Sequence, residues 1–364
     1  MLTTEIAKEI VEQTMIRLNR NINIMDNKGI IIASGDTKRI HQIHAGAIEV
    51  LRSGKPLIIQ NRDLKHWKGS LPGINLPISF QGCIIGVIGI TGNPKEIMEF
   101  GELVKMITEM MIHQSFLSTQ LEWKQRLREV IFEEFLKEFP DQESIKQRLQ
   151  LIGLDLQPPY QVALIDIGLN KLKKTEIIQL FENVFAEKPV LIGFIKANQL
   201  FILTSMLPEA TLKQRLQPVV NLRNIVSRIG IGSSVQEQSQ IRHSYLESLS
   251  ALTLGKIDQI LTTYTEVETK ALLNQLDPRA KTQFQNRILG NLSDKLIDTL
   301  EHFFKSNLHI GECAKNTFIH RNSLIYRIKK IKELTGYDPQ ILQDAITLQF
   351  AIWIFDLNKK ESHK

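Results

Sequence analysis

Eight side chains within a short run near the C-terminal end have the chemistry to grip a polyanion: His320, Arg321, Asn322, Ser323, Tyr326, Arg327, Lys329 and Lys330. Arginine can pair bidentately with guanine and asparagine with adenine, so Arg321 and Asn322 suit base edges. The cations further along suit phosphates. Between them, Leu324, Ile328 and Ile331 fall at i, i+4 and i+7, which is one apolar stripe of a helix. A DNA-reading helix needs this division: one stripe holds it on its own domain and the rest faces the duplex.

Such residues need a frame. Ile310 to Thr317 reads as a short helix with Ala314 at its closest approach to the next one. Phe318 and Ile319 make a turn, and His320 to Lys332 forms the second helix. Phe318 holds a position that is glycine in many helix-turn-helix proteins, which implies a strained turn. The competing reading is a solvated basic helix. Against it, Lys315, Arg321, Arg327, Lys329, Lys330 and Lys332 face only Glu312 and Glu333 between Ile310 and Tyr337, a net +4.

The run Ile319-His320-Arg321-Asn322-Ser323-Leu324, with Tyr326-Arg327-Ile328 and Glu333-Leu334-Thr335-Gly336, closely resembles the C-terminal helix-turn-helix of the PucR/CdaR transcriptional regulators. Ser323 stands where threonine is usual and keeps the hydroxyl. Ile325 stands where a polar residue is common.

Composition bounds the rest. At 364 residues and 43% hydrophobic, the chain can build two or three domains with real cores. A net charge of +6 and a pI near 9.1 permit a polyanionic partner. Met1 to Asn19 is amphipathic and carries acids, unlike a secretory signal. The longest apolar stretch, Cys83 to Ile90, is far short of the ~18–20 residues of a membrane helix. Cys83 and Cys313 lack metal-ligand spacing and read as buried free thiols. A cytoplasmic location, with no membrane, metal or cofactor, is the expectation.

The chain reads as an α+β multidomain protein. Residues 1–120 contain a capped helix, an Ile22–Ala33 hairpin, a helix over Lys38 to Leu51, and strands over Pro56–Gln60, Ile74–Phe80 and Cys83–Thr91. That is a PAS/Cache-like sensor plan, a small antiparallel sheet with helices on one side. Glu99 to Phe139 reads as one helix, whose Leu103, Ile107, Met110, Gln114, Leu117 and Leu121 make a coiled-coil-like seam; 121–140 is its linker portion. The alternative is a helix packed on its own domain. Residues 141–258 follow a β-α-β-β-α-β order, ferredoxin-like, with helices over Lys174–Ala186 and Leu212–Ser227. Residues 275–360 hold the helix-turn-helix and a last apolar helix, Ile346 to Leu357.

The middle order is also that of nucleotide cyclases. Asp166 ends the first strand where a GGDEF-type cyclase has a metal-binding aspartate. The following hairpin, however, reads Lys196-Ala197-Asn198-Gln199, without the carboxylates that hold two Mg²⁺ ions. A degenerate, non-catalytic domain is expected, similar to the GGDEF-like middle domain of the CdaR family.

The first unit resembles the sugar-diacid recognition domain of that family through Asn21–Asp26, Ser34-Gly35-Asp36, Arg39-Ile40, His44–Ala47, Gly73–Ile78 and Gly86–Gly92. The resemblance implies a dicarboxylate effector, which needs two anion sites. One candidate is the start of the helix from Thr37, with Ser34, Arg39 and His44 nearby. The other is Gly73-Ile74-Asn75, a loop whose backbone N–H groups can approach an oxyanion. The rival readings are a surface Arg39, Ser34 and Asp36 acting only as helix caps, and Asn75 ending a turn. His41 and His44 are three apart but lack a third ligand, so a metal site is not expected. The reading implied is a dimeric, diacid-responsive activator of uptake and catabolism genes for glucarate, galactarate or glycerate. It is not an enzyme, and it binds a double-stranded operator. The alternatives are a regulator sensing another hydroxy acid such as glycolate, or a sensor-coupled cyclic-dinucleotide enzyme.

Overall fold

The structure is a computed structural model; it describes all residues except 1, 19, 68–69, 169–171, 186–187, 221–224, 257 and 362–364. The expected helix end at Ala186 falls outside the described residues, whereas the helix expected to run to Ser227 is corrected: Val226 and Ser227 already belong to a strand, as the β-branched Val226 and Ile229 favour. The chain divides into two compact units, Met1–Gln125 and Arg126–Lys364.

The first unit runs α1 (Thr4–Leu18), β1 (Ile22–Met25), β2 (Ile31–Ser34), α2 (Ala45–Ser53), β3 (Leu57–Ile59), β4 (Gly73–Phe80), β5 (Cys83–Thr91) and the start of α3 (Pro94–Phe135). Its strands form one antiparallel sheet in the order β2-β1-β5-β4-β3. Successive side chains of a strand point to opposite faces. Ile22, Ile24, Ile74, Leu76, Ile78, Ile88 and Ile90 meet Ala7, Ile10 and Val11 of α1 and Ile97, Val104 and Ile112 of α3. Each such burial contributes about 1.5–3 kcal/mol. On the opposite face, Met25 and Val87 meet Ala47 and Val50 of α2. Helices therefore cover both faces rather than one. The strands carry apolar residues at both parities, such as Ile24 beside Met25 and Val87 beside Ile88, and each set needs cover.

The helix expected from Thr37 is corrected too. Thr37–Arg39 is a single 3-10 turn. His41 then takes φ 69°, and Ile43 bridges Ile30. The α-helix begins only at Ala45. The long helix starts at Pro94 and ends at Phe135, earlier at both ends than expected, since proline suits a first helical turn. Its 42 residues span roughly 60 Å. Cys313 is buried as expected, whereas Cys83, at the tip of the β4–β5 hairpin, is exposed.

The second unit continues with α4 (Gln142–Leu151), β6 (Tyr160–Ile167), α5 (Lys174–Val184), β7 (Val190–Lys196), β8 (Gln199–Ser205), α6 (Glu209–Val220), β9 (Val226–Ile231), α7 (Ile241–Leu254) and β10 (Leu261–Thr263). The sheet order is β10-β9-β6-β8-β7, with β10 parallel to β9. Ile177, Ile178 and Phe181 of α5 and Leu212 and Leu216 of α6 pack on one face. Ile131, Phe132 and Phe135, the end of α3, pack on the other with α4 and α7. Phe132 lies flat on Phe201, ring centroids 3.7 Å apart. The stretch expected to be only a linker is thus part of a core. α7 crosses β9 so closely that a Cβ at Gly232 would overlap the Ser244 backbone.

Six further helices complete the unit: α8 (Tyr264–Asn274), α9 (Pro278–Leu289), α10 (Asp294–Lys305), α11 (Ile310–Asn316), α12 (Arg321–Thr335) and α13 (Leu342–Glu361). α9 to α13 share a core of Ile288, Leu300, Phe303, Cys313, Ala314 and Leu348 with the stripe Leu324, Ile328 and Ile331.

Candidate functional site

The α11–α12 junction is built from backbone bonds. The Ile319 N–H donates to Ala314 O at 3.1 Å and the Phe318 N–H to Lys315 O at 3.3 Å. This is the Schellman end of a helix, and it requires the left-handed conformation at Phe318, where φ is 55°. The strain read from the sequence is present. His320 precedes α12 as its N-cap, with Nδ1 accepting the Asn322 N–H at 3.2 Å.

α12 presents Arg321, Asn322, Ser323, Tyr326 and Lys329 to solvent. Its buried stripe fixes that orientation. Two of the expected polyanion contacts are engaged elsewhere. Arg327 is half-buried, and its Nη1 donates to Thr299 Oγ1 of α10 at 3.0 Å. Lys330 pairs with Glu333 at 3.1 Å. The open face therefore offers two cations, Arg321 and Lys329, around Asn322, Ser323 and Tyr326.

In the first unit, strand register aligns one row across the whole sheet: Ser34, Asn23, Gly89, Asn75 and Leu57, on β2, β1, β5, β4 and β3. The row lies on the face covered by α2. Asn23 and Asn75 are buried, at 2% and 3% exposure. Ser34 Oγ donates to Asn23 Oδ1 at 2.6 Å and accepts the Asp36 N–H at 3.0 Å. The missing side chain of Gly89 lets the Asn75 amide and Met25 come close: a Cβ there would lie 2.9 Å from Asn75 Oδ1, 3.5 Å from Met25 Cε and 3.9 Å from Asn23 Nδ2.

Arg39 and His44 are buried where the 3-10 turn leads to α2. His44 is the N-cap of α2, its Nδ1 accepting the Ala47 N–H at 3.2 Å. The acceptor role puts the ring proton on Nε2. Burial, and then the charge of Arg39, push the His44 pKa down to about 4. Burial also lowers Arg39, which Asp36 partly offsets. Arg39 is therefore a buried cation and not the surface residue of the rival reading.

Two expected residues are not with them. Gly73 and Ile74 are not a loop but the start of β4, with β3 and β5 on either side, so their backbone is in the ladder. A Cβ at Gly73 would overlap the Ile90 carbonyl. Ile74 points into the core of the opposite face. Asn23 went unnoticed. Its signal was available: a polar residue at the same parity as buried Met25, on a strand flanked by isoleucines.

In the middle of the chain, Asp166 accepts the Gln199 Nε2–H at 3.0 Å. The hairpin partner of the aspartate is an amide rather than a carboxylate.

A sensor-sized sheet unit, a GGDEF-like fold and a terminal helix-turn-helix are the plan of a transcriptional regulator. Family models agree along the chain: sugar diacid recognition over residues 2–135, the GGDEF-like domain over 137–254, and the PucR C-terminal helix-turn-helix domain over 296–354. The chain is 30% identical to the carbohydrate diacid regulator of Escherichia coli, over 96% of this chain and 97% of that one. It is 27% identical to the uncharacterized protein YsfB of Bacillus subtilis, over 98% of each. The purine catabolism regulatory protein of Bacillus subtilis matches at 26% over 34% of this chain and 25% of its own. The chain belongs to the carbohydrate diacid regulator family. Among the described residues, no helix is long and apolar enough to cross a membrane.

Proposed function

We propose that the protein is a cytoplasmic, sugar-diacid-responsive activator of diacid uptake and catabolism genes, acting as a homodimer on a double-stranded operator. The observation that carries the effector reading is the buried polar row Ser34–Asn23–Gly89–Asn75 on the face covered by α2, with Arg39 and His44 at that helix's start. A hydroxylated carboxylate supplies acceptors for Arg39 and both kinds of partner for the amides. The dimer reading is supported by Leu103, Met110, Leu117 and Leu121 of α3, exposed large apolar residues along one helix.

A second reading is favoured by charge. Arg39 is the one buried arginine of this cluster, and His44 is neutral near pH 7. One cation balances one carboxylate, which suits a hydroxy acid such as glycerate or glycolate. Thermal denaturation of the full chain with glucarate, galactarate, glycerate, glycolate and allantoin separates the two. A ligand at 100 times its Kd adds about 2.7 kcal/mol to the transition that reports the sensor. The diacid reading expects glucarate or galactarate to act most strongly. A response confined to the monoacids supports the second reading, and no response to any acid overturns both.

A further inference from the structure

Phe318 is placed where its own chain gives it least. The Schellman end of α11 needs a residue at positive φ, a conformation natural to glycine and strained for phenylalanine. The ring is 96% exposed. The other described apolar residues with positive φ are better covered: Leu308 packs against the bundle core and Met206 is 57% exposed. Ile319, the next residue, packs on that same core and supplies the apolar contact of the motif. The turn would thus form equally well with glycine. Within this chain the ring is explained by neither the turn nor the core.

Its setting narrows what covers it. Lys315 precedes the ring and Arg321 follows it, both exposed, and the open polar end of α12 begins just beyond. A partner at this position is anionic yet must offer an apolar spot. In a DNA major groove that spot is the thymine 5-methyl group, against which phenylalanine packs. We propose that Phe318 is a DNA-contact residue whose ring packs on a thymine methyl beside the bases met by α12, adding a thymine preference at one position. This rests on α12 being the reading helix.

The test uses the full chain and duplexes selected from a random library. Each thymine of the selected duplex is replaced in turn by uracil, which lacks only the methyl group. Wild type is expected to lose about fourfold affinity at one position, the worth of one buried methyl. Phe318→Gly is expected to bind the thymine duplex about fourfold more weakly and to be indifferent to uracil at that position. Glycine suits the turn, so a melting temperature no lower than wild type certifies the fold. A selected duplex that Arg321→Ala weakens, but at which uracil affects wild type and Phe318→Gly alike, overturns the proposal and leaves the α12 reading standing. Failure of wild type to enrich any sequence overturns both.

Discussion

The guanidinium of Arg327 donates to the buried hydroxyl of Thr299 at 3.0 Å, and that hydroxyl donates in turn to the Lys295 carbonyl at 2.7 Å. The chain of bonds ties α12 to α10 through a side chain that the sequence placed among the DNA contacts. Arg327→Met should therefore act through stability, lowering it by about 1–3 kcal/mol because the Thr299 acceptor is left without its donor. Urea denaturation measures the loss. Binding to a selected duplex and to a scrambled one should weaken by the same factor. A changed base preference with unchanged stability would return Arg327 to the reading surface.

Lys329 and Lys330 should behave differently on DNA. Lys329 is exposed and ion-paired to none of the described residues, and its removal should flatten the log–log salt dependence by about 0.9. Lys330 is paired with Glu333 at the surface, 3.1 Å apart. Such surface pairs are worth little, so the duplex should break it readily. Glu333→Gln frees Lys330 and removes a like charge facing phosphate. Affinity for all duplexes should rise with sequence preference unchanged, as read by titration at several salt concentrations. An unaltered affinity would mean that this side of α12 does not approach the backbone.

The helix-turn-helix was legible because its information is local. A 3.6-residue stripe and a cluster of cations lie within one short segment, and Leu324, Ile328 and Ile331 are buried as the period requires. What the stripe could not say is which polar residues are taken by neighbours. Arg327 meets Thr299 only through the packing of two helices. The proposed effector site is less legible because it is a row across strands. Ser34, Asn23, Gly89 and Asn75 are scattered in sequence and become neighbours only through register. The parity of Ile74 relative to Asn75 would have separated those two. The segment before α2 misled for another reason: Lys38 to Leu51 carries helical periodicity, and only the left-handed turn at His41 shows where the helix waits. Sheet order and domain cover are likewise tertiary facts.

His44 makes stability fall with acid. Its folded pKa is near 4, below the 6.5 of an unfolded histidine. The unfolded chain therefore binds more protons between those values, so its contribution is complete above about pH 6.5 and declines as pH falls toward 4. The loss is on the order of 3 kcal/mol over that window. His44→Asn keeps an acceptor for the Ala47 N–H and removes the titration. The melting temperature of the sensor transition, followed from pH 7 to pH 4, should drop steeply in wild type and less in the variant. Parallel curves would show that other groups carry the acid response.

Gly89 allows a sharper test of the effector row than any of its polar members. Truncating Asn75 or Asn23 removes a buried group and its packing together, so lost binding is hard to separate from lost fold. Gly89→Ala removes no polar group and adds one carbon, 2.9 Å from Asn75 Oδ1 and 3.5 Å from Met25 Cε. Both neighbours are ends of flexible side chains, so the sheet should survive with a shift of less than about 1–2 kcal/mol, in the range of modest overpacking. The Asn75 amide must turn away from its place in the row. Affinity for the responding acid should fall about tenfold or more, the cost of roughly one misdirected hydrogen bond. Arg39→Ala should cost more, about 2–5 kcal/mol, by leaving a carboxylate buried without its cation. Calorimetry on the full chain compares the three proteins with one acid. Gly89→Ala binding as tightly as wild type would put the effector elsewhere, since no ligand could use that row with its centre filled. Loss in Gly89→Ala with Arg39→Ala unaffected would keep the row and replace the carboxylate with a neutral polyol.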